Sequence, residues 1–262
     1  ISEDHVIWEK SVDGNLDKVT VNKNGYVSAI VTGTTYKSVI ITYDEKGNEL
    51  FKTYLSKTIA VDACVSPDNA EFAYAEVNNS GTTIQSNIKI ISIKDVKEKN
   101  TEPKYEYNAV QGSLILRIKY QDKSRLICMY DDSIHKFETG VDVELTKLNE
   151  DNPKITFADI ELNNYIFRTY EKSTSLFSAD TIIEMQNTSN GKENVYTIEE
   201  VAKSVVSNNN VIAVNLGNEV YFVETNAWLI KRYSSSQVIE KIILGDGVAG
   251  IIYSDKIEIV NL

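Results

Sequence analysis

The sequence predicts an all-β chain made from one repeating unit, and three observations carry the prediction. Short alternating or apolar runs recur between turns rich in Asn, Asp and Gly, and no long amphipathic helical period appears. Six tight turns each precede an apolar strand at similar spacing. The last copy of the unit stops one strand short, while the first is preceded by a spare strand. Together these predict a β-propeller of six four-stranded blades, filling residues 1–262 as a single domain and closed by the N-terminal strand. Seven blades with one degenerate unit is the alternative.

The turns set the period. They are Asn24-Gly25 before Tyr26, Ser66-Pro67-Asp68-Asn69 before Phe72, and Gln121-Asp122-Lys123-Ser124 before Leu126. The others are Asn163-Asn164 before Tyr165, Asn208-Asn209-Asn210 before Val211, and Gly245-Asp246-Gly247 before Val248. Gly, Asn and Asp recur because hairpin turns need positive φ, which these residues reach most cheaply. The anchors lie 37 to 54 residues apart and average about 44, the length of a four-stranded blade.

Each unit reads as strands A to D. In the first copy these are Asp17–Val21, Tyr26–Val31, Ser38–Tyr43 and Glu49–Leu55. In the fifth they are Ala202–Val206, Val211–Asn215, Glu219–Val223 and Trp228–Tyr233. The D strands of the third and fourth copies fall near Val143–Leu148 and Asn194–Ile198, and Glu199–Val206 reads as a D-to-A crossing. The last copy has A at Val238–Leu244, B at Val248–Tyr253 and C at Lys256–Val260, then ends. The segment Val6-Ile-Trp8-Glu-Lys10 has a D-strand pattern, like Glu49-Leu-Phe51-Lys52 and Trp228-Leu-Ile-Lys231. It is expected to pair with Lys256–Val260 and close the ring, with Trp8 in the role of Phe51 and Trp228.

Charge narrows the function. The net charge is −11, and four of the 27 cations are Arg. Phosphate backbones require clustered Lys and Arg, so no nucleic-acid partner is expected. With two His in the chain, a histidine-rich metal centre is excluded, and neither a metal nor a cofactor is expected. Cys64 and Cys128 sit in apolar strand-like runs and read as free buried thiols, with no zinc-site spacing. No apolar stretch approaches a membrane span.

Two hairpins carry a family resemblance. Asp44-Glu-Lys-Gly-Asn-Glu-Leu-Phe51-Lys52 resembles the C–D hairpin of pyrroloquinoline-quinone-type repeats. Ser66-Pro67-Asp68-Asn69 before Phe72-Ala-Tyr-Ala resembles the Ser-Pro-Asp-Gly hairpin of TolB-like and WD-repeat propellers. The Trp-Asp and Gly-His signatures of true WD repeats are missing. Taken whole, the chain resembles the outward-facing propeller of a clostridial, Gram-positive family with a short N-terminal membrane anchor. That resemblance implies an extracytoplasmic module tethered by a segment upstream of Ile1, and it brings no known activity.

No catalytic residue stands out. Gly245-x-Gly247-x-x-Gly250 matches a dinucleotide fingerprint by letters, but Ile251-Ile-Tyr253 continues as strand, so an A–B hairpin turn is expected. Asp131, Asp132 and His135 fall on a B–C turn and the start of a C strand, in no defined ligand spacing. The Asn149-Glu150-Asp151-Asn152 run reads as an exposed crossing. A Ser–His–Asp triad would need His5 or His135, and no Gly-x-Ser-x-Gly elbow exists.

Loop length is more informative, because loops on a rigid scaffold carry function. Long polar B–C insertions occur at Asn78–Ser86 and Glu171–Ala179. They offer Asn79, Gly81, Thr83, Ser173, Leu176 and Phe177 as partner-binding candidates, although Leu176 and Phe177 also suit an early C strand. The expected function is a monomeric, non-catalytic binding or scaffold propeller for a protein, peptide or cell-wall glycan. The alternative is a propeller hydrolase acting on a carbohydrate or lactone through a carboxylate pair.

Overall fold

The computed structural model describes residues 5–33, 35–149, 153–175 and 178–262. The chain divides into two compact units, Ile1–Thr146 and Lys147–Leu262.

The first unit holds three four-stranded sheets, each meandering in chain order. The first is β1 (Asn15–Val21), β2 (Val27–Thr32), β3 (Ser38–Tyr43) and β4 (Glu49–Leu55). Next come β5 (Ile59–Val65), β6 (Glu71–Asn78), β7 (Gln85–Ser92) and β8 (Tyr105–Asn108), with a short helix α1 (Ile93–Lys97) between β7 and β8. The third is β9 (Ile115–Tyr120), β10 (Arg125–Tyr130), β11 (Ser133–Glu138) and β12 (Val141–Lys147).

The second unit has β13 (Ile155–Asp159), β14 (Tyr165–Ser173), β15 (Ala179–Asn187) and β16 (Glu193–Ile198) as its first sheet. The second sheet is β17 (Ser204–Asn208), β18 (Val211–Asn215), β19 (Glu219–Glu224) and β20 (Leu229–Ser234). The last has three strands, β21 (Lys241–Leu244), β22 (Val248–Ile252) and β23 (Ile257–Asn261).

All six turns expected between A and B strands are hairpin turns here. Asn69, Asn164 and Asn209 adopt φ of 60°, 56° and 53°, and Gly25 and Gly247 adopt 82° and 69°. Gly245 donates its N–H to Val248 O at 2.8 Å, so the GxGxxG letters mark a hairpin. Strands β3, β4 and β18 match the sequence reading residue for residue. The helix α1 was not foreseen, although Ser92-Ile-Lys-Asp95 has the spacing of a capped helix start: Ser92 Oγ accepts the Asp95 N–H at 3.2 Å.

Neighbouring sheets are tied by repeated devices within each unit. Apolar clusters fill the space between them, with Phe72, Leu126, Phe137, Phe167 and Phe222 almost fully buried. An aromatic on a fourth strand meets an aromatic of the next sheet. Phe51 lies 4.5 Å from Phe72 and Tyr107 4.3 Å from Phe137, centroid to centroid. Tyr233 shares a 2.7 Å hydroxyl hydrogen bond with Tyr253. At one end of the sheets, asparagines link successive turns. Asn22 Nδ2 donates to Ser66 O at 2.9 Å and Asn208 Nδ2 to Leu244 O at 3.0 Å.

At the other end, hydroxyls at the starts of third strands accept the N–H that opens the next sheet. Ser38 serves Ala60 at 3.0 Å, Ser86 serves Ile115 at 3.2 Å, and Thr181 serves Ala202 at 2.8 Å.

The chain ends differ from the expectation. Residues 5–12 form no strand, and no pairing with β23 occurs among the described residues. Trp8 instead lies on the first sheet, 5.7 Å from the Tyr43 ring, and its indole N–H donates to Glu45 O at 3.2 Å. Gly47, at φ +79°, makes room: a Cβ there would sit 2.8 Å from the indole. Trp228 does not share the role of Phe51. It is 71% exposed, because its turn places it outside the strand that begins at Leu229.

Candidate functional site

The loops joining second to third strands in the first unit bring one predicted binding segment together with residues the sequence reading missed. The hairpin β6–β7 is zipped to its tip, with Asn78 opposite Gln85. The insertion expected at Asn78–Ser86 is therefore a shorter loop, 79–84. Asn79, Gly81 and Thr83 are all exposed on it.

Asn79 is not isolated. Lys37, on the loop between β2 and β3, donates its ammonium to Asn79 Oδ1 and to Lys57 O, each at 3.1 Å. The Lys37 N–H donates to Leu55 O at 2.9 Å, which holds the loop against the end of β4. Beside it the rings of Tyr36 and Tyr54 lie 4.7 Å apart, tilted by 43°. Tyr54 is 51% exposed and Tyr36 38%. The Lys52 ammonium sits 5.4 Å from the Tyr54 ring centre. Hydrogen bonding to Tyr54 is the main cause raising Lys52 above the ordinary lysine value, so this cation stays charged at neutral pH.

Thr83 belongs to a neighbouring contact. Gln111 Nε2 donates to Thr83 Oγ1 at 2.5 Å, and Gly112 N–H donates to Ile84 O at 3.0 Å. The structure thus joins Asn79 to Lys37 and Thr83 to Gln111. A short polar loop carrying one aromatic, Thr35-Tyr36-Lys37, was the available signal for this cluster.

In the second unit, the segment Glu171–Ala179 begins and ends in strand. β14 and β15 pair as far as Ser173 opposite Ala179. Ser173 is exposed at the hairpin tip, where Thr174 N donates to Ser178 O at 3.0 Å. Leu176 and Phe177 lie outside the described residues.

The carboxylates considered for chemistry have structural roles. Asp131 accepts the Leu114 N–H at 2.8 Å, and Asp132 accepts the Ser113 hydroxyl at 3.0 Å. His135 faces Asp142, with Nδ1 2.7 Å from the carboxylate, and pairs with neither aspartate of the turn. Asp62 is 1% exposed and holds three elements together. It pairs with Lys18 at 2.8 Å and accepts the N–H groups of Ala63 at 2.9 Å and Ile118 at 3.0 Å. Buried Glu76 pairs with Lys89 at 2.7 Å and accepts the Thr58 hydroxyl at 2.8 Å. Asp159 repeats the Asp62 device in the second unit, accepting the Ile160 N–H and the Ser207 hydroxyl.

Cys128 is fully buried and Cys64 half-buried, and both are free thiols. Burial pushes the Cys128 thiol well above its ordinary value. Among the described residues, no group of three His, Cys, Asp or Glu could hold a metal ion. No helix among them is long and apolar enough to cross a membrane. Residues 150–152 of the Asn149–Asn152 run lie outside the described residues.

Comparison with solved structures shows the propeller fold. The β-propeller domain of the Trilobed protease from Pyrococcus furiosus matches with a TM-score of 0.59 at 12% identity, covering 94% of this chain and 81% of that one. Kluyveromyces lactis Hsv2 matches with a TM-score of 0.59 at 10% identity, covering 95% and 75%. Prolyl oligopeptidase B from Galerina marginata matches with a TM-score of 0.56 at 14% identity, covering 94% of this chain but 41% of the enzyme. At these identities the likeness is one of fold. No curated protein matches the sequence. A family model matches residues 1–262 from end to end, and the chain belongs to that family, the family of unknown function DUF5711.

Proposed function

We propose that this chain is a non-catalytic binding or scaffold propeller whose partner is a protein, a peptide or a cell-wall glycan. The observation that carries this reading is the exposed cluster about Lys37 and Asn79. Aromatic, amide and ammonium groups stand on short loops whose backbones are hydrogen-bonded to the sheets. Such loops offer contacts at little ordering cost. Asp62 and Glu76, buried carboxylates of the first unit, are bonded to Lys18 and Lys89 and to the framework.

The reading includes six blades in one domain, with residues 6–12 completing the last. Its support is Trp8, which meets Tyr43 of the first sheet as Phe51 meets Phe72 of the second. It also puts a monomeric module outside the cytoplasmic membrane of a Gram-positive bacterium, tethered by an apolar segment of about 20 residues ahead of Ile1. The resemblance supports that placement.

Two measurements test the function. Sedimentation with purified Gram-positive cell walls should deplete the protein from solution. A screen of glycoside and lactone substrates should show no turnover. Turnover of any of these substrates by the purified chain would establish the hydrolase instead.

A further inference from the structure

We propose that Tyr36, Tyr54, Lys37, Lys57 and Asn79 form a binding subsite for an acidic polysaccharide, a chain of sugar rings that carry carboxylates. The inference deepens the binding-module reading and rests on it.

Three features select this ligand. First, the Tyr36–Tyr54 pair leaves aromatic surface open to solvent at the tip of a sheet. A sugar ring has an apolar face of C–H groups that stacks on an aromatic face, and Tyr offers that area at low side-chain entropy cost. Second, the neighbouring groups are polar. Lys37, Lys52, Ser56, Lys57 and Asn79 are all exposed. A protein hot spot needs apolar anchors in a water-excluding pocket, whereas a polyhydroxylated ligand needs hydrogen-bonding groups around a stacking surface.

Third, the charge is local and opposite to that of the molecule. The chain carries −11 overall, yet Lys37, Lys52 and Lys57 form no salt bridge among the described residues. Lys37 is held by two neutral acceptors, Lys57 O and Asn79 Oδ1, so its charge is not cancelled. The buried carboxylate on this side, Glu76, is already paired with Lys89. Lys37 and Lys57, two ammonium groups without a salt bridge on an acidic protein, attract an anion locally. Acidic sugars satisfy the stacking and charge requirements with one repeating unit.

The test is calorimetric titration of the intact chain with hexagalacturonate, which bears one carboxylate per ring. Maltohexaose serves as the neutral control and poly-L-glutamate as the charge-matched peptide control. Hexagalacturonate should bind, and maltohexaose should bind at least about tenfold more weakly. Tyr54→Ala should weaken hexagalacturonate binding about tenfold, as loss of a stacking surface does, while Tyr54→Phe should retain it. Lys37→Gln and Lys57→Gln should each weaken it several-fold, and the loss should shrink at high salt. If Tyr54→Ala lowers the thermal midpoint markedly, the lysine variants and Tyr36→Ala carry the test.

Three results overturn the proposal: no binding of hexagalacturonate, binding insensitive to Tyr54→Ala in a folded variant, or equal binding of poly-L-glutamate. Cell-wall sedimentation separates the two levels of the argument. If wild type and Tyr54→Ala both sediment with walls to the same extent, this subsite is wrong and the binding-module reading survives. If neither sediments and neither binds hexagalacturonate, both fail.

Discussion

The Thr181 hydroxyl accepts the backbone N–H of Ala202 at 2.8 Å and donates to Glu200 O at 2.7 Å, so one side chain stitches two sheets together. Thr181 is 1% exposed, and Ser38 and Ser86 accept from Ala60 and Ile115 in the same way. At these three junctions the hydroxyl satisfies an N–H at the start of the following sheet, a group that the antiparallel ladder of its own sheet leaves free.

Thr181→Val keeps the shape and removes both bonds. It leaves the buried Ala202 N–H without its acceptor, while the Glu200 carbonyl keeps the Thr181 N–H, so it should cost about 1–3 kcal/mol. Urea denaturation at constant m-value checks this, and an unchanged midpoint would refute the stitching role.

Asp62 is the costlier target. Asp62→Ala strips the charge opposite Lys18 and leaves the Ala63 and Ile118 N–H groups without an acceptor. Lys18 is about one-third exposed and can be solvated, so the cost comes mainly from the two unsatisfied N–H groups, about 1–3 kcal/mol each. Removing the exposed Glu258–Lys256 pair should change stability far less, because water screens it. Equal effects of the two substitutions would contradict this ranking.

Alkaline pH should destabilise the fold through its buried acids. Burial raises Cys128, Tyr120 and Tyr130 above their ordinary values, so the folded chain keeps protons that the unfolded chain releases. Stability is therefore fully present below the unfolded values, about 8.5 for Cys and 10 for Tyr. It falls as pH rises through them, because the unfolded state then binds fewer protons. The thermal midpoint should drop between about pH 8.5 and 11, and Cys128→Ala should remove the earliest part of that slope. In the native state a thiol reagent should modify half-buried Cys64 before Cys128.

The N-terminal segment tests ring closure. Trp8 is half-buried, so Trp8→Ala should cost about 1–3 kcal/mol, less than Phe72→Ala at a fully buried ring, about 3–5 kcal/mol. If residues 6–12 complete the last blade as proposed, deleting residues 1–13 should promote aggregation by exposing a pairing-competent strand edge. Adding that segment after Leu262 through a short Gly/Ser linker should restore solubility. A 14–262 fragment as soluble and stable as the parent would remove the support for closure.

The sequence by itself determined the strand repeat and its turns. Positive φ demands Gly, Asn or Asp, and that demand is local, so Asn69, Asn164, Asn209 and Gly247 were legible as turns before any contact was known. The alternation of apolar residues set the strands, with β3 and β4 placed to the residue. Only the tertiary structure decided what the polar residues do. Asp62, Glu76 and Thr181 look like any other Asp, Glu and Thr in the sequence; their meaning comes from partners 13 to 56 residues away, such as Lys89 and Ile118. The same holds for the candidate site. Asn79 was suggested by loop length, but Tyr36, Lys37 and Tyr54 belong to another sheet's strands and loop. They join Asn79 because successive sheets pack side by side and bring their loops together, a juxtaposition that no local periodicity encodes.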